Sequence, residues 1–311
     1  SNLFISSAGR IFEFELRDWY HVNLSSESVR TILRDPNINL VGTYGGIYVN
    51  NVRLDSPAFT NGYATRVGNR VFLAADDLYM MDLPSAVPSL GAADTLTNEI
   101  PGKPAAFTLV KTFENSYLGE YRKVLSYDDS TLIAFRTQSI ELLDEAFRSS
   151  TLTSEKDFTD LEPIGDGFLA TTLTGDILWI RKGQVTELLD SSHDWQDATI
   201  VQDRVYLASF DGIFKARLST VNGIPTLSDP ELIADLPYSV MVAVETNGNI
   251  WASTYSALYV IKENDDQAGT YWSVPIVENV EFNRRAMHMQ SGMLYAGSTQ
   301  GEYAVNMGYV S

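Results

Sequence analysis

Asn249-Ile250-Trp251-Ala252-Ser253-Thr254-Tyr255-Ser256-Ala257-Leu258-Tyr259-Val260 runs from large apolar residues through small ones to a turn, then back to apolar residues. It reads as two short strands joined by a tight connection. The same arrangement recurs at Leu3–Phe12, 40–49, 205–214 and 294–303, with weaker copies at 71–79, 132–142 and 168–178. The residues closing the copies are Phe12, Tyr48, Tyr79, Ile140, Leu178, Phe214, Tyr259 and Tyr303, spaced 31 to 45 apart except for one step of 61. That spacing is close to the blade period of a β-propeller, roughly 40 residues. No segment of a dozen residues keeps apolar side chains at helical spacing without interruption by Gly or Pro.

The sequence therefore predicts an all-β fold, a β-propeller of four-stranded antiparallel blades forming a single domain over 1–311. Innermost strands are expected near 29–34, 64–67, 123–127, 160–164, 198–201, 239–244 and 285–289. Small residues in each second strand suit the close approach of neighbouring sheets, and Trp251, Tyr206 and Tyr295 suit the wider space between blades. Residues 84–106, with Pro84, Pro88, Pro101 and Pro104, read as a long loop insertion leading to an outer strand at 107–113. Eight second strands against seven first strands favour eight blades, with the missing first strand supplied from elsewhere. The count falls to seven if the first hairpin is not a blade.

Composition narrows the function. With 22 basic against 40 acidic residues and a net charge of −18, the chain lacks the cationic surface that nucleic acid or an anionic membrane requires. No cysteine is present, which excludes disulfides, thiolate zinc sites and a cysteine nucleophile. A 44% hydrophobic content supports a large core. The chain opens Ser1-Asn2 without an initiator Met, the mark of a trimmed chain, so the lack of a leader or membrane helix carries no information.

Two segments go further. Thr246-Asn247-Gly248-Asn249-Ile250-Trp251-Ala252-Ser253-Thr254, followed by Ala257-Leu258-Tyr259, resembles the two-component-regulator propeller repeat, with its consensus G-x-(I/L)-W-(I/V)-G-T-x-x-G-(L/I). Asp35-Pro36-Asn37-Ile38-Asn39-Leu40-Val41-Gly42-Thr43-Tyr44-Gly45-Gly46-Ile47-Tyr48 is a second good match, preceded by an aromatic pair and Leu24-Ser25 as in that family's lead-in. Elsewhere Tyr or Leu replaces the Trp, and Ala or Leu the Gly. The resemblance implies the periplasmic or extracytoplasmic sensing portion of a bacterial histidine kinase or diguanylate cyclase, with a carbohydrate-related ligand. It implies signal transduction through segments outside this chain, which would also provide any membrane attachment. Pairing as a homodimer in a full-length receptor fits that implication.

Candidate chemistry is sparse. His21, His193 and His288 show no metal-ligand spacing; His288 reads as an ordinary strand residue and His193 as a solvated loop residue. Asp76-Asp77, Asp128-Asp129 and Glu263-Asn264-Asp265-Asp266 lack the calcium-loop pattern and read as turn chemistry. A lactonase-like hydrolase would need a channel metal held by residues such as Asp160, Asp197 and Glu245, but Glu245 aligns at a turn. G-x-S-x-G is absent. The expectation is thus no catalytic residue, no metal and no cofactor. A propeller collects ligands at the channel mouth, where innermost strands begin. Arg30, Tyr63, Tyr121, Arg122, Trp195, Asp197, Tyr238, Arg284 and Arg285 align there, with Ser28 and Phe158 close by. Aromatic faces and bidentate Arg suit a small carbohydrate or organic anion. A protein-interaction platform with an acidic surface is the alternative, and a metal-dependent propeller hydrolase the third reading.

Overall fold

The Ser or Thr that ends most second strands explains the repeated small-residue motif. In the computed structural model, Thr43 Oγ1 donates to Gly46 O (3.0 Å) and accepts from the N–H groups of Gly45 and Gly46. Thr254 does the same for the Tyr255–Ala257 turn, and Ser298 for the turn before Gly301. Each buried hydroxyl satisfies turn backbone that would otherwise lack partners, so the hairpin closes at one length.

The structure describes residues 19–54, 63–75, 77–83, 107–113 and 121–310, and the backbone of 2–7 and 10–15. Among them, seven antiparallel sheets form a ring, six of four strands and one of five. Blade 1 runs through Val29–Asp35, Ile38–Thr43, Gly46–Val49 and Val52–Leu54. Blade 2 comprises Tyr63–Val67, Arg70–Ala74, Leu78–Asp82 and Thr108–Lys111. Its outermost strand explains the 61-residue step, which is an insertion between third and fourth strands. The loop expected at 84–106 lies outside the described residues.

Blades 3, 4, 5 and 6 begin with Lys123–Ser126, Phe158–Ile164, Trp195–Val201 and Ser239–Val244. In blade 5 the long third strand Gly212–Val221 pairs first with Glu231–Ala234 and then with the hairpin extension Ile224–Leu227. Blade 7 takes Phe282–Gln290, Met293–Ser298 and Gly301–Asn306 from one end of the chain and Tyr20–Asn23 from the other.

The favoured eight-blade count is therefore corrected to seven. The first hairpin, Asn2–Ser7 with Arg10–Glu15, forms a two-stranded sheet of its own. The ring needs no additional first strand, because an outermost strand closes it: Tyr20 faces Val305 and Asn23 faces Glu302. Blades seal on apolar contacts. Trp251 of blade 6 packs with Phe282 and Leu294 of blade 7, while Tyr206 and Tyr295 pack onto the blades that follow their own. Gly297 is required by proximity: a Cβ there would lie 2.6 Å from Ala286 Cβ and 2.7 Å from Val29 Cγ1.

Candidate functional site

Innermost strands in this ring do not run straight. In blades 1, 4, 5 and 6 a bulge follows the first residue, as where Val29 pairs with Thr43 but Thr31 with Gly42. A bulge re-aims the next side chain, here toward the neighbouring blade. Thr31 Oγ1 accepts from Ala64 N (3.0 Å), Asp160 Oδ2 from Ala198 N (3.1 Å), and Asp197 Oδ2 from Val242 N (2.8 Å). Thr65 Oγ1 accepts from Val124 N and Met241 Sδ from Arg285 N, while Asn283 Nδ2 donates to Val29 O. Between blades 3 and 4 the link is ionic, Lys123 Nζ lying 3.1 Å from Asp160 and 2.6 Å from Glu162. Each blade is thereby tied to the next around the channel.

The channel encloses a cavity of about 500 Å³, lined among others by Arg34, Arg66, Arg122, Lys123 and Arg285 against Asp35, Asp160, Glu162 and Asp197. Its carboxylates are engaged. Asp35 pairs with Arg66, and the buried Glu302 behind the wall pairs with Arg34. Burial, and then the charge of Asp160, pushes the Asp197 carboxyl well above the usual range. Burial opposes ionisation of Asp160 too, but Lys123 and Arg285 hold that carboxyl below its ordinary value. The two carboxyls are thereby pushed in opposite directions. Burial and Asp160 push Glu162 up to about 7 despite Lys123. Burial would lower the Lys123 ammonium, and Asp160 with Glu162 overcome it and raise it. Five cationic side chains against four carboxyls give the wall of this −18 chain a positive excess.

That excess gathers on one ring. The guanidinium carbons of Arg30, Arg122 and Arg285 lie 5.1, 5.6 and 5.9 Å from the Tyr63 ring centroid. Arg30 also donates to the Tyr63 hydroxyl (2.5 Å) and to that of Tyr44. Arg285 stands over Phe135 at 4.9 Å. Burial pushes its guanidinium down to about 10, which still leaves it charged at neutral pH. The Nε–H groups of Arg30 and Arg285 are buried without an acceptor among the described residues.

Blade 7 builds this feature with a wider bulge. Phe282 pairs with Ser298 and Met287 with Ala296, so five steps on the innermost strand match two on its neighbour. Arg285 within it takes a φ of +59°, a conformation uncommon outside glycine. The bulge separates the two arginines. Arg285 enters the channel, whereas Arg284 lies over Phe210 (5.4 Å) and donates to the Tyr255 hydroxyl (3.1 Å) on the rim.

Of the nine predicted site residues, Arg30, Tyr63, Arg122 and Arg285 form one cluster, and Tyr238 with Arg284 another. Asp197 lies in the channel wall with one oxygen committed to Val242. Tyr121 and Trp195 are fully buried and offer a ligand no surface. The Tyr121 hydroxyl hydrogen-bonds Glu141, and Trp195 Nε1 donates to Gly175 O (3.1 Å). Both lie where innermost strands begin but face between sheets, a distinction alignment by second strands does not make. The sequence reading missed Tyr44, Phe210 and Tyr255, which occupy the turns between second and third strands on the same face. The matching Tyr44 and Tyr255 positions in the two strongest repeats were the available signal.

His288, read as an ordinary strand residue, lines the cavity, and burial lowers its pKa. His193 lies on its connecting loop half-buried, its Nδ1 2.8 Å from Asp211 and its ring packed on Trp195 and Phe214. Glu245 accepts from Trp251 Nε1 (2.9 Å), and Asp128 caps its own turn through Ser130 and Thr131. No group of three or more His, Asp or Glu side chains suited to a metal occurs among the described residues.

Solved structures give the fold its relatives. The chain is a β-propeller. It superposes on the extracellular domain of BT3049 from B. thetaiotaomicron, assigned as a hybrid two-component system, with a TM-score of 0.68 and 15% identity, over 99% of this chain and 44% of that one. It thus spans less than half the length of that relative. A catalytically inactive variant of virginiamycin B lyase from Staphylococcus aureus, solved with quinupristin, gives 0.67 at 9% identity, over 92% and 97%. YCF48 from Cyanidioschyzon merolae gives 0.61 at 10%, over 94% and 99%. No protein-family model and no curated protein sequence matches the chain. At such identities the likeness concerns architecture, which an extracellular domain of a two-component system and a lyase share.

Proposed function

We propose that this chain is a non-catalytic ligand-binding propeller, the extracytoplasmic input part of a bacterial signal-transduction protein, and that it takes a small anion at the channel mouth. The observation that carries the reading is the blade-7 bulge, which sets Arg285 beside Arg30 and Arg122 around Tyr63, the Nε–H groups of Arg30 and Arg285 being without an acceptor among the described residues. Guanidinium groups on a fixed aromatic support suit carboxylate or sulfate. The engaged state of the channel carboxylates supports binding over hydrolysis: Lys123 fills the place between Asp160 and Glu162 that a metal would take. The similarity to an extracellular domain of a two-component system supports the sensor context.

Calorimetric titration with sulfate and simple carboxylates tests the anion site. Charged hydrogen bonds are worth about 1.5–3 kcal/mol, so Arg285→Gln is expected to weaken binding roughly ten- to hundredfold. Equal affinity of parent and variant for each anion bound by the parent would overturn the reading.

A further inference from the structure

Arg284 and Arg285 are consecutive, with Cα atoms about 3.8 Å apart, yet they serve two different surfaces. Arg285 belongs to the anion cluster in the channel. Arg284 borders an aromatic platform on the rim, in which the Tyr238 and Tyr255 rings stack at 5.9 Å with 17° between their planes and Phe210 touches both. The platform is rigidly built. Tyr238 N–H donates to Phe210 O (2.9 Å), and Tyr255 N–H donates to Tyr238 O (3.2 Å). Tyr238 is held at a φ of +58°, costly for a bulky side chain, while 55% of its surface faces solvent. Strain that presents an aromatic ring to water is unexplained by packing.

We propose that the two surfaces are halves of one site, and that the ligand is an anion carried on a flat ring. Its charged group sits against Arg285 in the channel and its ring lies on the Tyr238–Tyr255 platform, with Arg284 between them. This assignment rests on the anion site described above. The flat C–H face of a sugar and the face of an arene offer the platform the same chemistry.

Titration of the full chain with four probes decides the matter: sulfate, glucuronate, 4-hydroxybenzoate and methyl glucoside. At least one ring-bearing anion is expected to bind about tenfold more tightly than sulfate, the value of one good aromatic contact. Whether glucuronate or 4-hydroxybenzoate is the tighter identifies the ring. Tyr238→Asn, chosen because Asn tolerates the left-handed backbone, is expected to bring the ratio of ring-anion to sulfate affinity down to about one. Sulfate binding as tightly as both ring anions would overturn the composite site while leaving the anion site standing. So would a ratio unaltered by Tyr238→Asn, or methyl glucoside matching glucuronate. If none of the anions binds the parent, the anion site fails and this inference with it. Should Tyr238→Asn not fold, the four-probe series on the parent still discriminates.

Discussion

The Asp160 and Asp197 carboxyls are pushed in opposite directions, and that makes stability depend on pH at residue 197. Because burial and Asp160 raise the folded-state pKa of Asp197 above its ordinary value, its contribution to stability is full below about pH 4. The contribution falls as pH rises toward the folded value. Glu162, raised to about 7, behaves alike, its contribution being lost as pH rises through about 7. Asp160 is held low and opposes both, gaining on ionisation. Asp197→Asn keeps an acceptor for Val242 N–H and a donor toward Asp160, and it has no proton to lose. The variant is expected to melt above the parent at pH 7, with the gap closing as pH approaches 4. Thermal melts across that range check it, and a lower melting temperature at pH 7 would refute the upward shift of Asp197. Lys123→Met removes the cation between two carboxylates, so it should cost about 3–5 kcal/mol at pH 8 by urea unfolding. Little of this cluster is legible in sequence. Asp160 and Asp197 are 37 residues apart and could be aligned, but which of them is pushed up and which down depends on burial and on Lys123 from a third blade.

At the scale of the strand, the blade-7 bulge determines the site, and Gly297 makes room for it. A Cβ at Gly297 would collide with Ala286, the residue that ends the bulge, and with Val29 at the start of blade 1. Gly297→Ala must therefore displace one of them. Overpacking of this kind costs about 1–3 kcal/mol, and here the displacement should also move Arg285, lowering anion affinity along with the melting temperature. Loss of stability with affinity retained would show the bulge to be independent of that contact. The sequence did expose the small residues of second strands, and their role as close-approach positions holds at Gly297. It did not expose the bulge. A register shift adds residues without a characteristic composition, so Arg284 and Arg285 read as a pair converging on one mouth, whereas a φ of +59° sends them apart.

Ring closure belongs to the whole molecule, and there the repeat pattern was both informative and misleading. The hairpin motif located every second and third strand, because the turn chemistry of Thr43, Thr254 and Ser298 is local and recurs. It also counted Leu3–Phe12 as a blade, since a hairpin looks the same whether or not a sheet flanks it. Closure depends on pairing between residues nearly three hundred apart, and Tyr20–Asn23 carries no mark of its partner except alternation. Those four residues complete blade 7 through the ladder to Gly301–Asn306, the Asn23 side chain donating to the buried Glu302 (3.0 Å) and Tyr20 packing on Tyr303 (5.5 Å). Removing residues 1–23 exposes that edge and strips Glu302 of one donor, leaving Arg34. At about 1 kcal/mol for each ladder bond, the loss is about 3–5 kcal/mol, or roughly 10 °C in melting temperature for a chain of this size. The truncated protein should also associate through its open edge, as unpaired strands do. Because Tyr20–Asn23 runs antiparallel to the third strand and starts beside its end, the same segment appended behind the C-terminus through a short glycine linker would pair in the same direction. It is expected to restore both melting temperature and monomeric elution. Truncation without effect would mean that the ring is held by its inner links alone, from Thr31 round to Asn283, whereas a loss that the appended strand fails to reverse would place the closure outside the Tyr20–Asn23 ladder.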